Sequence, residues 1–333
     1  MKILVIGLEG AAAEILFEDE RLTNLRRLME GGCYGRLESV TPPVGVIGWK
    51  CMATSQDPGS IGIYDSRSRI DYSSRGREGV DGEVTHETTI WNYLGEKGKH
   101  SILAGVPDAG TAKEKTTQII DGYTTDSKEL HCAGEGLFRE KVYASSHKRF
   151  EAVKHHLENS EWDYFQLIDS GPERLQHRFW RLHDPQHVRY ETGNPYQTLI
   201  RDYYAYLDDE IGKLLERLYE DTVILVVSDH GPGKVGYQTV FPQVNADPQD
   251  YCNHTTSGCF ILASPNNPLQ GEIEDVSLLD MAPTLLEMGG YDIPDFMQGK
   301  SLVAGKMLGA ANDASDASDE EAIRKRLRGL GYI

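Results

Sequence analysis

The sequence predicts an α/β fold in three layers, α/β/α, with a mostly parallel central sheet. Two observations lead there. Short apolar, β-branched runs alternate with amphipathic helical stretches along the chain, the pattern of a sheet covered by helices on both faces. Acidic residues follow closely on three of those runs, and in open α/β sheets ligands bind outside the carboxyl ends of the strands.

The expected strands are 2–7 (KILVIG), 100–104 (HSILA), 164–168 (YFQLI), 222–227 (TVILVV) and 258–263 (GCFILA). Helices are expected at 23–30, 89–97, 147–159, 196–218 and 278–288. In the helix at 196–218, Leu199, Tyr203, Tyr206, Leu207, Ile211, Leu214, Leu215 and Leu218 recur at helical spacing, which reads as a stripe facing the core. Residues 64–86 are polar and rich in Gly and Arg, and are expected to form a surface loop or small cap. A chain of 333 residues with 39% hydrophobic content buries a large core, and 1–303 is expected to be one domain. Residues 304–333 are expected to be an acidic linker, whose AANDASDASDEEA has too little apolar surface to offset ordering entropy, followed by a short amphipathic C-terminal helix.

Composition excludes several function classes. A formal charge of −18 argues against nucleic acid as a partner, because phosphate-backbone binding needs a basic surface that releases counterions. The acidic excess is the kind expected of a salt-adapted organism's protein. Cys33, Cys51, Cys132, Cys252 and Cys259 are odd in number, scattered and never in a CxxC pair, so reduced, mostly buried thiols are expected rather than disulfides or a zinc-thiolate site. No run approaches the roughly 20 apolar residues of a membrane span, and MKILVIG leads directly into a strand without a signal-peptide cleavage region. The expectation is a cytoplasmic protein with no membrane partner and an undetermined oligomeric state.

Chemistry is carried by the strand ends. VIGLEG supplies Glu9, LIDSGPERLQH supplies Asp169, Glu173 and His177, and VVSDHG supplies Asp229 and His230. Asp229 and His230 place an oxygen and a nitrogen ligand at one strand end, while Glu173 and His177, four apart on a helix, face the same side. The two pairs suggest two metal ions, and His254, just before another strand, is placed where it could complete a second ligand set. Lone histidines such as His100, His131 and His187 are expected to be structural or surface residues.

Read together, KILVIGLEG, LTNLRRLMEGGCYGRLESVTPP, MATSQDPGSIGIYD, TIWNYLGEKGK, ERLQHRFW, VVSDHG and IEDVSLLDMAPTLLEMGGYDIPDFMQGKSL resemble the type I phosphodiesterase/nucleotide pyrophosphatase family of the alkaline phosphatase superfamily, over roughly residues 1–303. The closing RKRLRGLGYI resembles the end of many relatives and of sulfatases. The resemblance implies an alkaline-phosphatase-like fold, one metal held by Glu9, Asp229 and His230, and another by Glu173, His177 and His254. Zinc is the family's usual metal, and the mixed ligands also suit manganese. It implies a small phosphate-ester or nucleotide-like substrate. The stretch between Gly231 and His254 is shorter than in larger members, so part of the usual cap is missing.

Three positions depart from the family pattern. Glu9 and Glu173 stand where the family carries Asp, one methylene longer with the charge kept. Gly45, in Pro42-Pro43-Val44-Gly45, stands where the family carries its Thr or Ser nucleophile, so covalent catalysis by a side chain is not available there. Thr41, Lys50, Cys51 and Thr54 lie near but not at that position. The sulfatase nucleophile segment is absent around both Cys33 and Cys51. The expected activity is metal-dependent hydrolysis of phosphate esters, with water activated by the metals in place of the hydroxyl. The alternative is a non-catalytic relative that binds metal or ligand, and a weaker third is transfer between substrates, as in the superfamily's mutases. Thr or Ser at residue 45 is expected to be tolerated at that turn.

Overall fold

The computed structural model describes residues 1–63, 88–107, 109, 115–122, 133–187, 189–233, 253–265 and 267–304. The loop or cap expected at 64–86, His131, Cys132, Cys252 and the tail beyond residue 304 lie outside them.

In chain order the strands are β1 (Lys2–Leu8), β2 (Gly32–Glu38), β3 (Ser101–Val106), β4 (Thr117–Gly122), β5 (Tyr164–Asp169), β6 (Thr222–Ser228), β7 (Gly231–Gly233), β8 (Asn253–Thr255), β9 (Ser257–Ala263), β10 (Gly271–Glu272) and β11 (Val276–Ser277). The helices are α1 (Ala13–Glu18), α2 (Thr23–Glu30), α3 (Gly45–Thr54), α4 (Pro58–Ile61), α5 (Ile90–Glu96), α6 (Glu135–Asn159), α7 (Gly171–His183), α8 (Leu199–Leu215) and α9 (Met281–Gly289), with a 3₁₀ turn at Leu278–Asp280. The central sheet runs β10-β2-β9-β6-β1-β5-β3-β4, with β11 also on β2. β1 lies between β5 and β6, parallel to both, with Ile3 opposite Tyr164 and Val223. β9 runs antiparallel to both β6 and β2, which makes it the reversed strand of an otherwise parallel sheet.

Period-two alternation in β1 creates the layers. Leu4, Ile6 and Leu8 enter one core with Leu25 of α2, Phe150 of α6, Phe179 of α7 and Leu207 of α8. Ile3 and Val5 point the other way, to Trp49 of α3, Trp91 of α5 and Leu285 of α9. A strand covered on both faces needs apolar residues throughout, which is why KILVIGL is a continuous run with all but Lys2 buried. The stripe expected on the long helix forms: Leu199, Tyr203, Leu207, Ile211 and Leu214 are buried, with Tyr206, Leu215 and Leu218 partly so.

The strand direction fixes where chemistry collects. β1, β5 and β6 end together on one rim. Because β9 is reversed, its first residues lie beside the end of β6, with Ser228 opposite Cys259. His254, on β8 just before β9, therefore joins the same rim and stands opposite Pro232 of β7. The site lies at the carboxyl ends of the central strands rather than at a lateral edge of the sheet.

Several elements differ from the sequence expectation. The helix expected at 147–159 begins at Glu135, because its first turns bury only Phe138, Val142 and Ser146 and show a sparse apolar stripe. The helix expected at 196–218 spans Leu199–Leu215. β2 and α3 were not among the expected elements, since both are glycine-rich. In β2 the glycines answer close backbone approach: a Cβ on Gly32 would meet the Leu262 carbonyl oxygen at 2.1 Å, and one on Gly35 that of Ile273 at 2.1 Å.

Candidate metal centre

Each acidic candidate is placed by the end of a strand. Glu9 follows β1, and its backbone N–H donates to the Asp169 carbonyl at 3.0 Å. The Glu173 N–H donates in turn to the Glu9 carbonyl at 3.1 Å, so the main chains at the ends of β1, β5 and the start of α7 are tied in series. Helix α7 starts with Gly171-Pro172, a proline position that suits the first turn. Leu175, Phe179 and Leu182 are buried on its core side, which leaves Glu173 and His177, one turn apart, turned toward the rim.

The side chains converge on Glu173. Its Oε1 lies 3.2 Å from His254 Nε2, 3.5 Å from His177 Nε2 and 3.9 Å from His230 Nε2. His177 Nε2 and His254 Nε2 are 3.0 Å apart, and the His230 and His254 rings stack at 4.0 Å. Ligand atoms of Glu173, His230 and His254 all fall within 4.8 Å of one another. This group takes members from both of the ligand sets implied by the family resemblance, with His177 adjoining. The His254 Nδ1–H donates to the Pro43 carbonyl at 2.7 Å. That bond makes Nδ1 the protonated nitrogen and orients the ring so that Nε2 faces Glu173, the kind of outer support that orients a metal-ligating imidazole.

A divalent cation fits this arrangement. Asp229 Oδ2 and His230 Nε2 are buried and make no hydrogen bond among the described residues, a costly state for polar atoms unless a further partner arrives. A cavity of about 10 Å³ is lined by Gly10, Glu173, Gln176, His177, His230, Gly231, Pro232 and His254, room for about one water-sized particle. Nitrogen and carboxylate donors in this number suit zinc or manganese.

Burial and mutual charge shape the ionisation. Burial, with the Glu173 charge next, pushes Asp229 up to about 8. Burial lowers His230 to about 3, so it is neutral, the form in which an imidazole can bind a metal. For His254 burial acts downward, but the hydrogen bond and charge of Glu173 outweigh it and raise the pKa. For Glu173 burial acts upward, and the hydrogen bonds from His177 and His254 overcome it and hold the carboxyl well below its usual range.

Two candidates fall elsewhere. Asp169 is fully buried, but it turns away from the imidazoles and accepts from Gly171 N–H at 2.9 Å and Tyr203 O–H at 2.8 Å, beside Arg149 Nη1 at 3.4 Å. It is scaffold. Glu9 is fully buried and points to the first turn of α3, where a Cβ on Gly45 would lie 1.9 Å from its Oε1. The expectation that Thr or Ser is tolerated at residue 45 meets the longer Glu9 side chain, whose carboxylate has to move to admit a Cβ there. Gln176 was missed by sequence reading. Its Nε2 donates to the Gly10 carbonyl at 2.6 Å, while its Oε1 accepts from Tyr204 O–H at 3.0 Å. Its position three residues after Glu173, on the same face of α7, was the available signal.

Fold and site together define an α/β protein of the alkaline-phosphatase type. The structure is similar to a protein of the alkaline phosphatase superfamily from Vibrio parahaemolyticus, with 18% identity and a TM-score of 0.53 over 91% of this chain and 69% of that one. It is also similar to human ectonucleotide pyrophosphatase/phosphodiesterase 5, with 13% identity and a TM-score of 0.61 over 88% of this chain and 96% of that one. An inactive form of the murine ectonucleotide pyrophosphatase/phosphodiesterase 5, in complex with AMP, matches with 12% identity and a TM-score of 0.62 over 88% and 96% of the two chains. At such identities the likeness shows the fold. The type I phosphodiesterase/nucleotide pyrophosphatase family model matches residues 3–278, and the chain belongs to that family. No curated protein matches it in sequence. No helix among the described residues is long and apolar enough to cross a membrane.

Proposed function

We propose that the chain is a divalent-cation-dependent hydrolase of small phosphate esters, of the phosphodiester or nucleotide-pyrophosphate kind, that works without a side-chain nucleophile at Gly45. The observation that supports it most is the convergence of Glu173 with three imidazoles, beside Asp229 Oδ2 and with His230 Nε2 buried without a hydrogen bond among the described residues. Glu173, His177, His230 and His254 would hold a cation, with Asp229 beside them and Glu9 on the α3 side. Zinc is the first expectation, manganese the second, and a second cation would draw on Glu9 and Asp229. When bound, the cation supplies charge stabilisation of a phosphoryl oxygen and lowers the pKa of nearby water.

The chain's own residues do the rest. A water oxygen forms the new bond to phosphorus as the ester P–O bond breaks, and that bond's electron pair leaves on the departing oxygen. The water's proton passes to the carboxylate–imidazole array, and the departing oxygen takes a proton from solvent. The small cavity holds an ion or a water, so the ester lies outside it, toward the rim. A nucleotide-like substrate follows from the AMP carried by the murine neighbour. We also propose a single catalytic domain over 1–303, with no nucleic-acid or membrane partner, in the cytoplasm.

A second reading, a non-catalytic metal- or ligand-binding relative, is favoured by the filled space at residue 45. Metal analysis of the purified chain, with a screen of nitrophenyl phosphomonoester, phosphodiester and sulfate substrates, separates the two. The hydrolase reading expects stoichiometric metal, turnover of a phosphate ester, and loss of both in Asp229→Ala. Metal without turnover favours the binding protein, and full metal retention in Asp229→Ala removes the site assignment.

A further inference from the structure

Helix α3 offers the site a face without side chains. Gly45 and Gly48, three residues apart, lie on one side of it, and each is covered by a carboxylate. A Cβ on Gly48 would lie 3.0 Å from Asp229 Oδ2, tight but within reach of a small adjustment. A Cβ on Gly45 would lie 1.9 Å from Glu9 Oε1, 2.9 Å from its Cδ and 3.4 Å from its Cγ. That overlap involves the carboxylate end of a fully buried side chain, which has to shift to admit a Cβ.

Backbone conformation does not demand glycine at residue 45. It is the first residue of α3, and it is not among the positive-φ glycines. By intrinsic propensity alone, alanine in a helix is favoured over glycine by about 1 kcal/mol. What excludes a side chain there is volume, and the volume belongs to Glu9. An aspartate at residue 9, one methylene shorter, withdraws its carboxylate from that space.

We propose that Glu9 and Gly45 are a size-exchanged pair: the Glu9 carboxylate occupies the place of a residue-45 side chain, so a glutamate at 9 and a hydroxyl at 45 exclude each other, and the phosphoryl acceptor is water. The departures from the family pattern at residues 9 and 45 are then one change in two places. The packing half stands on the overlap alone, while the acceptor half rests on the hydrolase reading. Glu9 acts as a positioning residue that closes the site to a protein nucleophile at the start of α3.

Thermal unfolding of the full chain in chelator tests the pair through a cycle of parent, Gly45→Ala, Glu9→Asp and the double variant. Gly45→Ala is expected to lower Tm by about 2–6 °C, the scale of an overpacked site, against the rise that helix propensity alone would give. In the Glu9→Asp background the same change is expected to cost nothing or to raise Tm. Gly48→Ala is expected to cost less than Gly45→Ala. If Gly45→Ala fails to fold, a folded double variant still supports the pair. Additive effects, or a double variant no more stable than Gly45→Ala, overturn it. Hydrolysis by the parent of a nitrophenyl diester chiral at phosphorus reads the acceptor: inversion agrees with water, and retention overturns that half. Absence of turnover in every variant would sink the hydrolase reading while the unfolding cycle still judges the pair.

Discussion

The buried pair beneath the site gives the sharpest energetic test. Asp169 has no exposed side-chain surface, and Arg149 keeps only 4% of its own. Asp169→Asn preserves shape and leaves Oδ1 to accept from Gly171 and Tyr203, but it sets an amide donor against the Arg149 guanidinium. Breaking a buried pair from one side costs about 3–5 kcal/mol. The 3.4 Å separation is long for a charge-assisted bond, so about 2–4 kcal/mol is expected. With a urea slope of about 3 kcal/mol/M or more for a chain of this size, the midpoint should fall by up to about 1 M. The loss should reach the site, because the Asp169 carbonyl accepts from Glu9 N–H and the Glu9 carbonyl from Glu173 N–H. Zinc affinity, read by chelator competition, should weaken about tenfold, as for loss of an outer supporting contact. Arg149→Met is the reciprocal variant, and the double variant should cost no more than Asp169→Asn alone. A midpoint within about 0.2 M of the parent, with zinc affinity unchanged, would refute the claim that this pair supports the site.

Cation affinity should rise with pH, since protons compete for the same atoms. Asp229, pushed up to about 8, and His254, also raised, hold protons at pH 6 and release them as pH climbs. Zinc titration in the presence of a chelator should therefore show affinity increasing at least tenfold between pH 6 and pH 8, and a flat profile would contradict the ionisation described here. Gln176→Leu should cost about 1–3 kcal/mol in urea unfolding, because it removes the buried bonds to the Gly10 carbonyl and from the Tyr204 hydroxyl, and metal affinity should fall with it. Cys33, Cys51 and Cys259 are buried, and burial pushes Cys259 up to about 12. Mass spectrometry after brief iodoacetamide treatment should find these three unmodified in the native chain and modified in urea, and rapid native labelling of any of them would contradict their burial.

Much of this candidate site was legible in the sequence because most of its candidate ligands sit where strands stop. KILVIG, YFQLI and TVILVV are covered on both faces, so their runs are mostly apolar and the next carboxylate marks the rim: Glu9, Asp169 and Asp229 in turn. The same rule overreached at Asp169. A strand-end carboxylate turns toward the ligand crevice or toward a helix behind it, and only the positions of Arg149 and Tyr203 decide which. β2 and α3 escaped notice for one reason, that their glycines are required by neighbours distant in sequence. Gly32 and Gly35 admit the carbonyls of Leu262 and Ile273, and Gly45 and Gly48 admit the carboxylates of Glu9 and Asp229. Propensity assigns such residues to loops, because it registers the missing side chain and not the atom that takes its place. Glu9 and Gly45 are the strongest case. Read along the chain, they are a conservative lengthening and a disabling loss, independent of each other. Folded, the end of β1 and the start of α3 meet, and the added methylene of one side chain carries its carboxylate into the volume the other has vacated.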